Sequence, residues 1–372
     1  MSLPFHWVVL DGVILFVLLA WIYRRRALKH VTYERHFSRA TAYEGDHIEM
    51  VEKIANRKLL PIPWLRLESF LSRDLVFGKQ ANLDIRSGEL FQNHLSLFSM
   101  RSYRQIVRRH DIQCRNRGLY RIESATMTAG DPLGMVRVSR QYPLSLELLV
   151  YPSIVDLRDI PLPSHSLLGD LLVKRWIVED PFLISGVREY RSGDSFRSVN
   201  WKATARTGTL QVHRRDFTAD HRLMICLNVE TSGSMWGATT DPERIELGIR
   251  YAATIASHAI AGGIQTGFLC NGRLIDQAPA SVYLPPLGGS LQHEDILTKL
   301  AKLQLKSSAN MAYLLNEELE RAVTRTDYLI ITCHREEKLL QAVDRLKLRG
   351  HGTEWLEIPE EWGGNDHAAQ HA

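Results

Sequence analysis

Oxygen-bearing side chains cluster most tightly at Glu230-Thr231-Ser232-Gly233-Ser234-Met235. One carboxylate and two hydroxyls, Glu230, Ser232 and Ser234, alternate where an apolar run ends, and such a turn can aim oxygen ligands at a hard divalent cation. A second feature is charged. From Arg188 to Arg215 there are seven Lys or Arg residues, set against Glu189, Asp194 and Asp216. Within it Arg191, Gly193, Asp194, Arg197, Asn200, Trp201, Lys202 and Arg206 form a candidate binding face for an anion or an acidic partner. The same residues can instead be internal glue, with Arg191, Asp194, Arg197 and Lys202 pairing and Trp201 packing the segment down.

Other chemistry is not indicated. The chain contains no GxxxxGK[ST] phosphate loop, no HExxH zinc helix and no GxSxG nucleophile elbow. His213, His221, His258, His293 and His334 occur singly. Cys114, Cys226, Cys270 and Cys333 form no CxxC pair and read as reduced thiols. An enzyme is therefore disfavoured, no cofactor is expected, and magnesium binding would be weak. Lys plus Arg number 46 against 42 Asp plus Glu, so any basic partner site must be local and no nucleic acid is expected.

The elements that must position these residues begin with an apolar stretch, Trp7 to Tyr23, followed by Arg24, Arg25, Arg26 and Lys29. A helix of that length rises about 25 Å. The reading is an uncleaved transmembrane anchor (about 7–23, within a basic-flanked segment 1–30). The basic flank then puts the globular part on the cytoplasmic side of the inner membrane. Such an anchor would contribute nothing to a globular core. Residues 31–155 show short apolar runs broken by turn residues, with Leu144, Leu146, Leu148 and Val150 alternating ahead of Pro152, which implies an all-β sandwich. A connector covers 156–219.

From 220 to 360 strands and helices alternate. Leu223 to Val229 reads as a central parallel strand. Asp241-Pro242-Glu243 opens a helix in which Ile245, Ile249, Ala252, Ala256 and Ile260 share a face. Asn271-Gly272 signals a hairpin. Further helices are expected around Ile296, Leu300 and Leu303, over Met311 to Val323, and at Leu339, Val343 and Leu346, with a strand from Tyr328 to Thr332. The βαββααβα order implies a doubly wound, Rossmann-like α/β sheet whose crevice lies beyond the carboxyl ends of its strands. Residues 361–372 are small and polar and read as a disordered tail.

Glu230, Ser232 and Ser234 occupy the positions of the Asp-x-Ser-x-Ser motif that opens the metal-ion-dependent adhesion site of the von Willebrand factor A fold, which this region resembles. The likeness widens with EYRSGDSFRSVNWKATARTG at Glu189 to Gly208. Gly118 to Tyr120, Asp131 to Gly134 and Val150 to Pro152 precede it in the same order. Together they resemble the bacterial domain-of-unknown-function family 58. That resemblance implies a membrane anchor, a β-sandwich, a von Willebrand A-like domain and a MoxR-type AAA+ ATPase as partner. Two departures matter. Glu230 stands where Asp is expected, and Cys333-His334 stands where a Ser-Asp pair would supply another carboxylate, while Ser290 of Gly288-Gly289-Ser290 takes the place of a ligating Thr. The expected metal site, Glu230, Ser232, Ser234 and Ser290, is thus degenerate. The leading expectation is a non-enzymatic interaction or assembly protein. The alternatives are an outward-facing adhesion or sensing module and an enzyme with its site in the connector.

Overall fold

The computed structural model describes residues 5–78, 83–87, 91–131, 135–162, 184–190, 199–215, 222–230, 241–321 and 326–360. The chain divides into two compact units, Met1–Ser153 and Ile154–Ala372.

The first unit opens with helix α1 (Phe5–Arg26) and continues as ten strands. One sheet has the order β1 (Val31–Phe37), β3 (His47–Asn56), β8 (Gln105–Cys114), β5 (Leu75–Phe77). The other runs β2 (Thr41–Tyr43), β10 (Arg137–Tyr151), β9 (Gly118–Gly130), β4 (Ile62–Ser72), β7 (Phe91–Met100), β6 (Leu83–Ser87). Period-2 patterning sorts each strand into an inner and an outer face. In β3, Ile48, Met50, Glu52, Ile54 and Asn56 all turn inward and are buried. Ile54 meets Leu65, Leu67, Met100 and Met127 of the opposite sheet in one apolar cluster, while Ile48 and Met50 meet Leu71, Ile122 and Leu148 in another.

That core also encloses charge. Arg35 Nη2 donates to Glu52 Oε1 (2.6 Å), Tyr33 Oη donates to the same oxygen (2.8 Å), and Arg35 Nη1 reaches Ser69 Oγ across the sandwich (2.9 Å). His110 Nε2 lies 3.6 Å from Glu52 Oε2, and the His94 and His110 rings are 5.3 Å apart.

Two expectations are corrected here. Strand (44%) outweighs helix (30%), and no helix among the described residues is long and apolar enough to cross a membrane. Asp11 and Gly12 interrupt the apolar run of α1, and the uninterrupted part from Val13 to Tyr23 covers only about 16 Å of helix against a core of about 30 Å. Nor is the segment separate from the globular core. Tyr23, Ala27 and Leu28 are buried with Ile54, Ile62 and Leu65, and Tyr23 Oη donates to the Pro61 carbonyl (2.5 Å).

The second unit is built on a five-stranded sheet ordered β16 (Val282–Leu287), β14 (Gln265–Cys270), β13 (Arg222–Leu227), β18 (Asp327–Thr332), β19 (Gly352–Glu357). All pairings are parallel except that of β16, an antiparallel edge. Central β13 is buried from Leu223 to Leu227, as a strand covered on both faces must be. Helices α3 (Pro242–Ala261) and α4 (Ser290–Lys302) pack together, as do α5 (Met311–Arg321) and α6 (Glu337–Leu348). Asp241 caps α3 by accepting from Arg244 N, with Pro242 in the first turn.

The expected hairpin at Asn271-Gly272 does not form. β15 (Gly272–Leu274) pairs instead with β17 (Leu303–Ser307), which also takes Leu303 out of the helix assigned to it. The carboxamide of Asn271 is spent internally, as the site geometry explains. In the connector, β11 (Ile184–Glu189) and β12 (Gln211–Arg215) form an antiparallel pair flanking the short helix α2 (Trp201–Thr207). The tail 361–372 lies outside the described residues.

Candidate functional site

At the carboxyl ends of β14, β13 and β18, three buried polar side chains lock the strands together. Asn271 Oδ1 accepts from Val229 N (2.9 Å), and Asn271 Nδ2 donates to Asn228 Oδ1 (2.9 Å). Asn228 Nδ2 donates to Thr332 Oγ1 (3.2 Å), and Asn228 Oδ1 also receives Glu230 N (3.1 Å). The Asn271 carbonyl takes both Ser308 N (2.7 Å) and Ser308 Oγ (2.9 Å), so the loop entering α5 is pinned to the same bracket. Buried amides satisfied this completely specify one arrangement, because any displacement strands several donors at once. Their effect is to hold Glu230 and Ser308 at fixed places.

Glu230 and Ser308, which this bracket holds, line a cleft of about 810 Å³ together with Arg273, Ser307, Ala309, Asn310, Tyr313, Glu336, Lys338 and Arg345, among others. Glu230 is held above the ordinary carboxylate range, chiefly by burial and then by the negative charge of Glu336, while a hydrogen bond with Ser307 pulls it back down. Arg273 Nε donates to the Ser307 carbonyl (3.1 Å), and Arg345 Nη1 donates to Asn316 Oδ1 (3.2 Å). Lys338 is exposed and makes no ion pair among the described residues. The cleft thus sets a carboxylate pair beside three cations, a surface suited to a polar, charged segment of a protein.

Of the expected metal set, only Glu230 is placed in the cleft. Ser232 and Ser234 lie outside the described residues. Ser290 starts α4 as an exposed residue and is not among the cleft's lining. Cys333 is buried, its thiol pushed up to about 11 by burial, and also stands apart from the lining. Among the described residues no three His, Cys, Asp or Glu side chains gather as a metal site would require. Glu336 was missed by the sequence reading, although Arg335-Glu336-Glu337 directly follows the Cys333-His334 turn as the acidic opening of a helix.

The connector residues divide in the same way. Arg191, Gly193, Asp194 and Arg197 lie outside the described residues. Asn200 caps α2 by accepting from Ala203 N (3.0 Å). Trp201, expected to pack inward, is 66% exposed, and Lys202 and Arg206 are exposed as well. None of the seven residues of α2 is buried among the described residues.

Residues 186–351 match the family model described as "Protein of unknown function DUF58". Uncharacterized proteins of Mycobacterium tuberculosis and Mycobacterium bovis are 35% identical over 94 residues, which is 25% of this chain and 29% of theirs. The chain therefore matches under a third of the length of these relatives. Among solved structures, the major pilin SpaD of Corynebacterium diphtheriae has 12% identity and a TM-score of 0.24, covering 30% of this chain and 33% of the pilin. A cohesin module from a Clostridium perfringens glycoside hydrolase has 10% identity and a TM-score of 0.21, covering 33% of this chain and 97% of the module. Likenesses this slight carry no argument.

Proposed function

Residues 186–351 belong to the DUF58 family, and from that premise we propose that the chain is a non-enzymatic interaction or assembly protein that docks a protein partner in the cleft lined by Glu230, Ser308 and Glu336. The observation that carries this reading is that buried Asn228 and Asn271 hold Glu230 and Ser308 in place in a cleft whose lining mixes the charges of Glu230, Glu336, Arg273, Lys338 and Arg345. A preorganised surface loses little entropy on binding, and opposed charges at its rim set register and partner choice.

The resemblance nominates a MoxR-type AAA+ ATPase as that partner, acting in complex maturation or in an envelope or stress function. All four cysteines are unpaired and buried, which supports a reducing compartment and so a cytoplasmic encounter. Docking does not depend on magnesium in this reading, because Glu230 stands where an Asp ligand is expected and Cys333-His334 where a Ser-Asp pair would add a carboxylate. The test is a binding titration between the full chain and the MoxR-type ATPase of the same organism. Lys338→Glu with Arg345→Glu should weaken binding at least about tenfold, and chelator should leave it unchanged. Wild-type affinity in the double variant would remove the cleft from the interface.

A further inference from the structure

The cleft runs between two packed helices, and each gives it one stripe of side chains. From α6 come Lys338, Gln341, Ala342 and Arg345, whose steps of three, four and seven residues put them on one face. Ala309, Ala312, Tyr313 and Asn316 repeat that spacing through α5 and its lead-in. Ala312 and Ala342 are buried, so small side chains make the floor, while Tyr313, Lys338 and Arg345 stand exposed along the banks. A groove of this form takes a third helix: small residues let its backbone approach, and its ridges lie between those of the two banks.

Charge is uneven along the groove. The two stripes carry the cations of Lys338 and Arg345 and no carboxylate. Glu317, Glu337 and Asp344, adjacent to the stripes in sequence, lie outside the lining, and Glu317 and Asp344 pair with Arg321 (3.6 Å) and Lys347 (3.3 Å). Arg345 Nη1 donates to Asn316 Oδ1 (3.2 Å), a neutral acceptor that orients the guanidinium without cancelling its charge. Lys338 stands two turns away on the same helix, about 10.5 Å along its axis. Carboxylates enter only at the head, where Glu336 precedes α6 and acts on Glu230 through its charge.

We infer that the groove takes a helix of the partner bearing two carboxylates seven residues apart, one on Lys338 and the other on Arg345, with a small or apolar residue between them over Ala312 and Ala342. This rests on the docking reading above and specifies the chemistry of what docks. Seven residues of helix match the two-turn separation of the cations and bring both carboxylates to one face. An extended segment would need them about three residues apart. Glu230 and Glu336 set the direction of entry, since an acid at the head would meet like charge. The partner residue one turn beyond the Lys338 contact is therefore neutral or basic. The same two carboxylates repel a phosphodiester chain.

The test couples the full chain to the MoxR-type ATPase of the same organism with a water-soluble carbodiimide. The reagent activates a carboxylate, the deprotonated amine of a contacting lysine attacks it, and an amide forms while the displaced oxygen leaves on the reagent as a urea. Arg345→Lys supplies a second amine at the far end. Mass spectrometry should find Lys338 in the wild type, and position 345 in the variant, joined to two acidic residues seven apart in one helix of the ATPase. Lys338→Gln should weaken the complex about threefold, with a smaller loss at high salt. If Arg345→Lys fails to fold, the wild-type Lys338 amide and the Lys338→Gln titration decide. Amides to acids at another spacing, no amide at either position, or undiminished affinity in a folded Lys338→Gln would overturn the inference. A photo-crosslinking residue at Tyr313 separates the two levels: where it joins the ATPase, those outcomes strike the acidic helix alone. Absence of the complex or of that crosslink strikes the docking reading, and the inference with it.

Discussion

His94 and Glu52 are the residues whose ionisation the sandwich core controls. Burial holds His94 at about 3, with Arg35 and His110 adding positive charge nearby. In the unfolded chain it titrates near 6.5, so between those values the unfolded state binds the extra proton, and stability falls as pH drops below about 6.5. Burial pushes Glu52 upward, but His110 and the Arg35 guanidinium outweigh it and hold the carboxyl well below the ordinary range. Its contribution is present at neutral pH and is lost below about 4.5. Denaturant titrations across pH should therefore show an acid limb starting near 6.5, with His94 accounting for a few kcal/mol on the scale of about 1.4 kcal/mol per unit. His94→Gln should flatten that limb, and an unchanged slope in the variant would show that His94 is not its source. At this scale the sequence was partly legible. Glu230 could be singled out because it ends an apolar run, whereas Asn228, Asn271 and Glu336 are set together by chain reversals of about 40 to 100 residues, a proximity that local spacing does not encode.

Among the elements, α1 and the central sheet make separate predictions. The end of α1 is core rather than appendage, so Tyr23→Ala should destabilise the first unit by about 3 kcal/mol, losing both ring packing and the bond to Pro61. A thermal midpoint equal to that of wild type would contradict the packing described. In α3, Gly248 lets the helix approach the sheet; a Cβ there would come within 2.5 Å of Ile358 Cδ1 and 3.4 Å of Leu227 Cδ1. Gly248→Ala should cost about 1–3 kcal/mol through overpacking, measurable by the same melting experiment. The strand and helix periods of β13, α3 and β18 could be read directly, since each is long and apolar on the faces it buries. Asn271-Gly272 misled because the hairpin preference of that pair is worth less than the four hydrogen bonds Asn271 makes to Val229, Asn228 and Ser308. The short strands β15 and β17 carry too few residues for a period to show.

For the whole molecule, the proposed function rests on the α/β unit, whose cleft of Glu230, Glu336, Arg273, Lys338 and Arg345 docks a protein in this reading. That docking in the cleft is the central claim. It is tested most directly by placing a photo-crosslinking residue at Tyr313, which lines the cleft and is 59% exposed, and another at Trp201, exposed but outside the lining. After irradiation with the MoxR-type ATPase in the presence of chelator, the account predicts a crosslinked product from position 313 and none from position 201. A product from position 201 alone, or none from position 313 under conditions where the two proteins co-purify, would contradict it.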